Sequence, residues 1–236
     1  CVFGIWLNFG SLFSQKRRKG FDPDAMPARY IITHSVVNKI TERYHSAVSA
    51  NPAQPSIPSL HFNGGEFKHK KIIPINSITF EERRLLLSVS GTSEDADSLF
   101  EDLLKTISEV LGASIKFLPP LVKSDQTSCF ATFKVDIQQY FSNPFLLFCE
   151  KRLPKFNQIP KTQISAQPFS LRIEISYKID DPVLSESNIS IFPKHLVIER
   201  RLQTPPKKNM YFVSSPFESN THIKLIEELQ EKLQKT

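Results

Sequence analysis

Apolar residues recur at two spacings along this chain, and each change of spacing separates a helix from a strand. Val36, Val37, Ile40, Tyr44, Ala47 and Val48 lie three and four apart. They predict a helix over about 35–50, with Ser35 as its cap and Asn51-Pro52 as its stop. Ala96, Leu99, Phe100, Leu103, Leu104, Ile107, Val110 and Leu111 form a second stripe and predict a helix over about 94–111. Thr92 or Ser93 caps it, Glu94, Asp95 and Asp97 suit the positive end of its dipole, and Gly112 ends it. Ile223, Ile226, Leu229 and Leu233 place a third stripe on a helix over about 220–235.

Between these helices the period falls to two. Cys129, Ala131, Phe133, Val135 and Ile137 alternate with Phe130, Thr132, Lys134 and Asp136. Phe169, Leu171, Ile173, Ile175, Tyr177 and Ile179 alternate with a side bearing Arg172, Glu174 and Lys178. One apolar and one polar side is the pattern of an antiparallel sheet with a wet face. Further strands are expected at 71–80, 84–90, 189–202 and 209–214, with a turn at Asn63-Gly64-Gly65 and a short helix after Asn143-Pro144. Pro52, Pro55 and Pro58 read as an extended connector, and a loop is expected at 154–168.

A pattern of Ser, five residues, Leu, an apolar residue, Glu, an acid and Leu occurs twice. Its copies run from Ser93 to Leu103 and from Ser219 to Leu229, each after an apolar run and downstream of a Glu-Arg-Arg triplet. The order strand, strand, helix therefore recurs. The fold class is α+β: mainly antiparallel sheet, two similar amphipathic helices packed on one face, and an additional N-terminal helix. An internal ββα or ferredoxin-like duplication is the arrangement this order suggests, against chance likeness of two amphipathic helices. Residues 26–236 are expected to form a single domain, with similar halves near 61–140 and 165–236.

Residues 1–25 differ from the rest. An apolar run over 1–13 precedes Lys16-Arg17-Arg18-Lys19, the reverse of the order in a signal peptide, and is too short to span a bilayer alone. The expectation is a non-domain extension ahead of a start at Met26. The rival is the tail of a membrane helix followed by cytoplasmic positive charge.

Composition narrows the function. With 40% hydrophobic and 23% charged residues, the 236-residue chain has the balance of a globular protein. Three cysteines without paired spacing suit a reducing, cytoplasmic setting. Neither phosphate-binding glycine motif occurs, and Gly91 precedes a helix start crowded with acids. The histidines show no metal-ligand spacing. Their nearest cluster, His61 with Glu66 and His69, lies among Lys68, Lys70 and Lys71, whose charge opposes a cation. Cys149 reads as a buried, inert thiol among phenylalanines. No catalytic, cofactor or metal residues are assigned.

The expectation is a non-enzymatic protein that acts by protein contact or self-association. The alternative is a nucleic-acid-binding module using Lys68, Lys70, Lys71, Arg200, Lys207 and Lys208 beside Phe67, Tyr211 or Phe212. The net charge of +6 is mild for that role. Pro205-Pro206 and Ser215-Pro216-Phe217-Glu218 are further candidate protein-contact loops.

Overall fold

A computed structural model describes residues 2–8, 33–50, 60–81, 84–112, 122–137, 144–152, 169–176, 194–201 and 208–235. Met26, the 16–19 basic run, the 51–59 connector, the 154–168 loop, Pro205-Pro206 and Lys207 lie outside these residues. The elements are β1 (Val2–Asn8), α1 (His34–Tyr44), β2 (Ala47–Ala50), β3 (Leu60–Asn63), β4 (Glu66–Lys68), β5 (Ile72–Phe80) and β6 (Arg84–Val89). They continue with α2 (Ser93–Leu111), β7 (Val122–Thr132), α3 (Pro144–Arg152), β8 (Ser170–Ile175), β9 (Lys194–Arg200), β10 (Met210–Ser215) and α4 (Ser219–Gln234). The class is α+β. Strand, strand, helix occurs as β5-β6-α2 and again as β9-β10-α4.

The chain divides into two compact units. The first comprises Cys1–Thr127, Tyr177–Ile191 and Pro216–Ser219; the second comprises Ser128–Ser176, Phe192–Ser215 and Asn220–Thr236. α2 lies in the first, and α4 lies in the second after its leading serine. Within the expected extension over 1–25, Val2–Asn8 is a strand antiparallel to β6.

In the first unit the strands run β2-β3-β5-β6-β1, with β4 also paired to β5. The pairings β2–β3, β3–β5, β4–β5 and β5–β6 are antiparallel. Alternation along β5 and β6 sends Ile73, Ile75, Ile78, Leu85, Leu87 and Val89 into one core with Ala96, Leu99, Leu103 and Ile107 of α2. Val36, Ile40 and Tyr44 of α1 complete it. Full burial of such side chains contributes roughly 1.5–3 kcal/mol each, so the helix stripes decide which sheet face is covered. A Thr92 capping box opens α2: the Thr92 hydroxyl accepts from Asp95 N and the Asp95 carboxylate accepts from Thr92 N.

The helix expected over 35–50 is shorter than its periodicity implied. Thr33, not Ser35, is its cap, and His45 takes a left-handed conformation that ends it. Ala47 and Val48 then pair with Asn63 and Phe62 as strand β2. A β-branched and alanine pair fits either period, so spacing alone extended the helix wrongly. The expected turn is present: Gly64 and Gly65 have φ of 65° and 123°. A Cβ on Gly65 would meet the Tyr44 carbonyl oxygen at 2.4 Å, so glycine is required there for close approach as well as dihedral.

In the second unit the strands run β7-β10-β9-β8. Tyr211, Val213 and Ile198 join Phe133, Ile137 and Leu233 in its core, with Ala131, Leu171, Ile226 and Leu229 packed around them. The strand expected over 129–137 begins earlier and ends at Thr132, yet Phe133 and Ile137 remain buried. Ile223, counted in the third stripe, is 48% exposed, whereas the neighbouring His222 is buried.

Ser93 and Ser219, the leading residues of the two sequence copies, bond to each other. Ser93 N donates to Ser219 Oγ at 2.7 Å, and Ser219 N donates to Ser93 Oγ at 3.1 Å. The Ser93 hydroxyl also donates to Ser219 Oγ at 3.1 Å. Each serine thus satisfies an N–H at the start of the other's helix, and both are buried. Ser93→Ala or Ser219→Ala alone is expected to cost about 1–3 kcal/mol, by leaving a buried N–H without its acceptor. The double variant should cost close to the two singles summed, less the one hydroxyl–hydroxyl bond they share, because each single removes the acceptor of one N–H and leaves the other bond in place. Denaturant melts of the four proteins measure this; single variants as stable as the natural protein would refute the reciprocal bonds.

Candidate functional site

Three places bring polar side chains together, and their electrostatics separate them. The first is a small cleft of about 150 Å³ in the first unit, lined by Arg43, Tyr44, His45, Glu66, Phe67, Lys68 and Asp102. Arg43 Nε and Nη2 donate to the two Asp102 oxygens at 2.8 and 2.5 Å, and the Tyr44 hydroxyl donates to Asp102 Oδ2 at 2.8 Å. Burial works to raise the Asp102 pKa, but the Arg43 and Tyr44 bonds outweigh it and hold the carboxylate below its usual range. Lys68 pairs with Glu66 at 2.8 Å. Four of the charges around the cleft are consumed in two ion pairs, and its volume is well below the roughly 300 Å³ of ordinary ligand pockets. The cluster clamps α1 to α2.

The second place lies in the core of the second unit. His222 Nε2 stands 3.3 Å from Cys129 Sγ, and His222 Nδ1 stands 2.7 Å from Ser215 Oγ. The spacing is that of a nucleophile, base and orienting group. The electrostatics are not. Burial pushes the His222 pKa down to about 4 and pushes the Cys129 thiol up. Both shifts oppose a thiolate–imidazolium pair, so the trio is a neutral hydrogen-bonded chain with an unactivated thiol. Hydroxyl and thiol each donate and accept, which satisfies either neutral tautomer of the ring.

The third place is the face of the second sheet turned away from α4. Alternation that sends Cys129 and Ala131 toward α4 turns Phe130 outward, where it is 59% exposed. Tyr211 and Val213 face the core, so Phe212 emerges beside Phe130, ring centroids 5.8 Å apart in edge contact. The Arg201 guanidinium lies over the Phe130 ring, 4.6 Å from its centroid. Arg201 N donates to Met210 O at 3.1 Å, and its Nη1 approaches Met210 Sδ at 3.2 Å. A cation held on an exposed aromatic face is attracted by about 0.5–1 kcal/mol at such sites.

The basic residues singled out from the sequence divide between the units. Lys68, Lys70 and Lys71 share the β4–β5 hairpin of the first unit, where Lys68 pairs with Glu66 and Lys71 with Asp95, both at 2.8 Å. Arg200 is opposite Tyr211 on β9, and Lys208 is exposed just before β10, both in the second unit. Phe67 and Tyr211 are buried, and the Tyr211 hydroxyl donates to Asp136 Oδ1 at 2.9 Å. Of the three aromatics proposed as stacking surfaces, Phe212 alone lies on an open face. His61 bonds Thr79, Glu66 pairs with Lys68, and His69 stacks on Phe67, so these three do not gather around one point.

Sequence reasoning weighed Arg201 with the basic residues but missed Phe130 and His222. A signal existed for each. Phe130 is the one large aromatic on the polar side of its alternating run. His222 falls on the apolar stripe with Ile226, Leu229 and Leu233. The charge is also unevenly distributed: the second unit holds 14 Lys and Arg against 7 Asp and Glu, while the first holds 16 against 17.

No family model, curated protein or solved structure matches this chain. Among the described residues no helix is long and apolar enough to cross a membrane, and no group of three or more His, Cys, Asp or Glu side chains is placed to hold a metal ion.

The buried imidazole sets a pH dependence. Well above pH 6.5 His222 is neutral both folded and unfolded. As the pH falls from 6.5 toward 4 the unfolded chain takes a proton that the folded chain refuses, so stability declines. The full loss from this residue is roughly 3 kcal/mol. Asp95 and Asp102, whose pKa values are lowered from 3.8, add their loss below that window. Chemical denaturation between pH 7 and 4 should show a steeper decline for the natural protein than for His222→Gln. Equal slopes would mean that the ring is charged or solvated in the fold.

Proposed function

We propose that this protein acts by binding rather than by catalysis, and that its ligand is a single-stranded nucleic acid laid across the open face of β7-β10-β9-β8. The observation that carries this reading is the Arg201–Phe130–Phe212 cluster. Every base has a π-face, so an exposed ring stacks on any of them, contributing about 1–3 kcal/mol per base. Arg201 adds a guanidinium able to stack as well as to meet a phosphate.

Charge distinguishes nucleic acid from a protein partner, which would also cover an exposed phenylalanine. The unit that bears the aromatic pair holds a surplus of seven positive charges, and the other unit has none. A polyanion is the ligand class that such a surplus attracts, through counterion release along its backbone. The free thiols of Cys129 and Cys149 fit a reducing, cytoplasmic compartment, which is part of the same reading.

Fluorescence anisotropy with a labelled oligouridylate of about a dozen nucleotides tests it, a length matched to the sites of comparable sheet surfaces. Binding to the natural protein should weaken steeply with added salt. Phe130→Ala should reduce affinity by about 5–100-fold while the protein stays folded, its melting temperature falling only by the few degrees that losing the Phe212 and Arg201 contacts costs. Undetectable binding at low salt would overturn the proposal. So would affinity that survives Phe130→Ala and vanishes on neutralising Lys68, Lys70 and Lys71.

A further inference from the structure

We propose a second interaction surface: the β8 edge pairs antiparallel with the β8 edge of a second copy of this chain. It rests on observations independent of the Arg201–Phe130–Phe212 cluster. β8 ends the strand order β7-β10-β9-β8 among the described residues, and its known partner, β9, occupies one side only. The backbone of an edge strand offers a row of N–H and C=O groups to any chain that can match it.

The sequence of β8 matches itself. An antiparallel pair centred on Ile173 sets Arg172 of one copy opposite Glu174 of the other, twice by symmetry. The same register sets Leu171 opposite Ile175, Ile173 opposite Ile173, and Ser170 opposite Ser176. Polar thus meets polar and apolar meets apolar at every position from 170 to 176. Either one-residue slip sets charged residues against Leu171, Ile173 or Ile175, which specifies the register. Edge strands that avoid association carry a proline, a lysine or charge pointing inward. β8 has none of these, and its two charges are of opposite sign and complementary across the dyad.

Exposure follows the same pattern. Arg172 and Glu174 are exposed, and Ile173 is 45% exposed although it shares a side with Leu171, which packs onto the core. Phe169, on that side too, is 43% exposed. A paired copy would bring Ile173 against its equivalent and continue the apolar side of the sheet across the junction. Opposite charges directly across an antiparallel pair stabilise it by a few tenths to about 1 kcal/mol each, and like charges destabilise it similarly.

Charge exchange in the full-length chain tests the pairing, read by sedimentation equilibrium. The natural protein should dimerise. Arg172→Glu alone, or Glu174→Arg alone, sets like charges opposite each other twice and should weaken the dimer about tenfold or more. The double exchange, Arg172→Glu with Glu174→Arg, should restore it. The two single variants mixed together should also form a heterodimer, since each presents what the other lacks. A natural protein that stays monomeric at its highest soluble concentration would overturn the proposal. A dimer indifferent to Arg172→Glu would overturn it equally, by placing the interface elsewhere.

Discussion

An alternating strand has two sides, and a single amphipathic helix covers only one of them. That constraint organises both units. In the first, α2 lays Ala96, Leu99, Leu103 and Ile107 over the sheet, with α1 beside it. In the second, α4 supplies Ile226, Leu229 and Leu233 to one face. The opposite face of that second sheet is the side on which Phe130 stands exposed beside Phe212. Covering one face is what makes the sheet stable.

The helices came through clearly in the sequence because eight apolar residues on one stripe admit one period. The α2 stripe over 94–111 matches Ser93–Leu111 almost residue for residue. Strands were legible in kind but less so in extent. β7 begins at Val122, seven residues before the alternation was recognised, because Val122–Thr127 interleaves Lys123, Ser124, Asp125 and Gln126 with few apolar markers. α1 was overextended because Ala47 and Val48 continue its spacing. The left-handed residue that ends it is His45 rather than a glycine, so the commonest stop signal was missing.

What the sequence hid was pairing at long range. Two polar residues fall within otherwise apolar stripes, Thr106 on α2 and His222 on α4, and both are buried. Each marks a hydrogen bond to another residue's polar group: Thr106 stands by the Tyr44 hydroxyl and the Asp102 carbonyl, and His222 joins Cys129 to Ser215. A buried polar side chain must be satisfied, so its presence on an apolar stripe implies a partner even where the partner is unknown. The identity of that partner, 93 residues away in the case of Cys129, follows only from the fold. The same holds for the candidate basic residues of the β4–β5 hairpin. Lys68 and Lys71 each stand within reach of a carboxylate that sequence spacing did not reveal as a partner.

Among the described residues, the Asp102 carboxylate is paired with Arg43 and the His222 ring is kept neutral by burial. The two proposed sites, the sheet face bearing Phe130 and the β8 edge, are compatible because they use different atoms. Edge pairing is made by main-chain groups in the plane of the sheet, whereas stacking uses side chains perpendicular to it. Arg172 is opposite Val197 and Ser170 is opposite Glu199, which in turn is opposite Phe212, so these residues share the open side by register. Two copies joined through β8 would therefore carry their open faces on the same side of one continuous sheet. Two moderate stacking surfaces held on one rigid support gain from effective concentration, since the second contact with a long polyanion becomes intramolecular. A modest aromatic cluster and a modest charge surplus would then give a stronger and more salt-sensitive grip than either copy has alone.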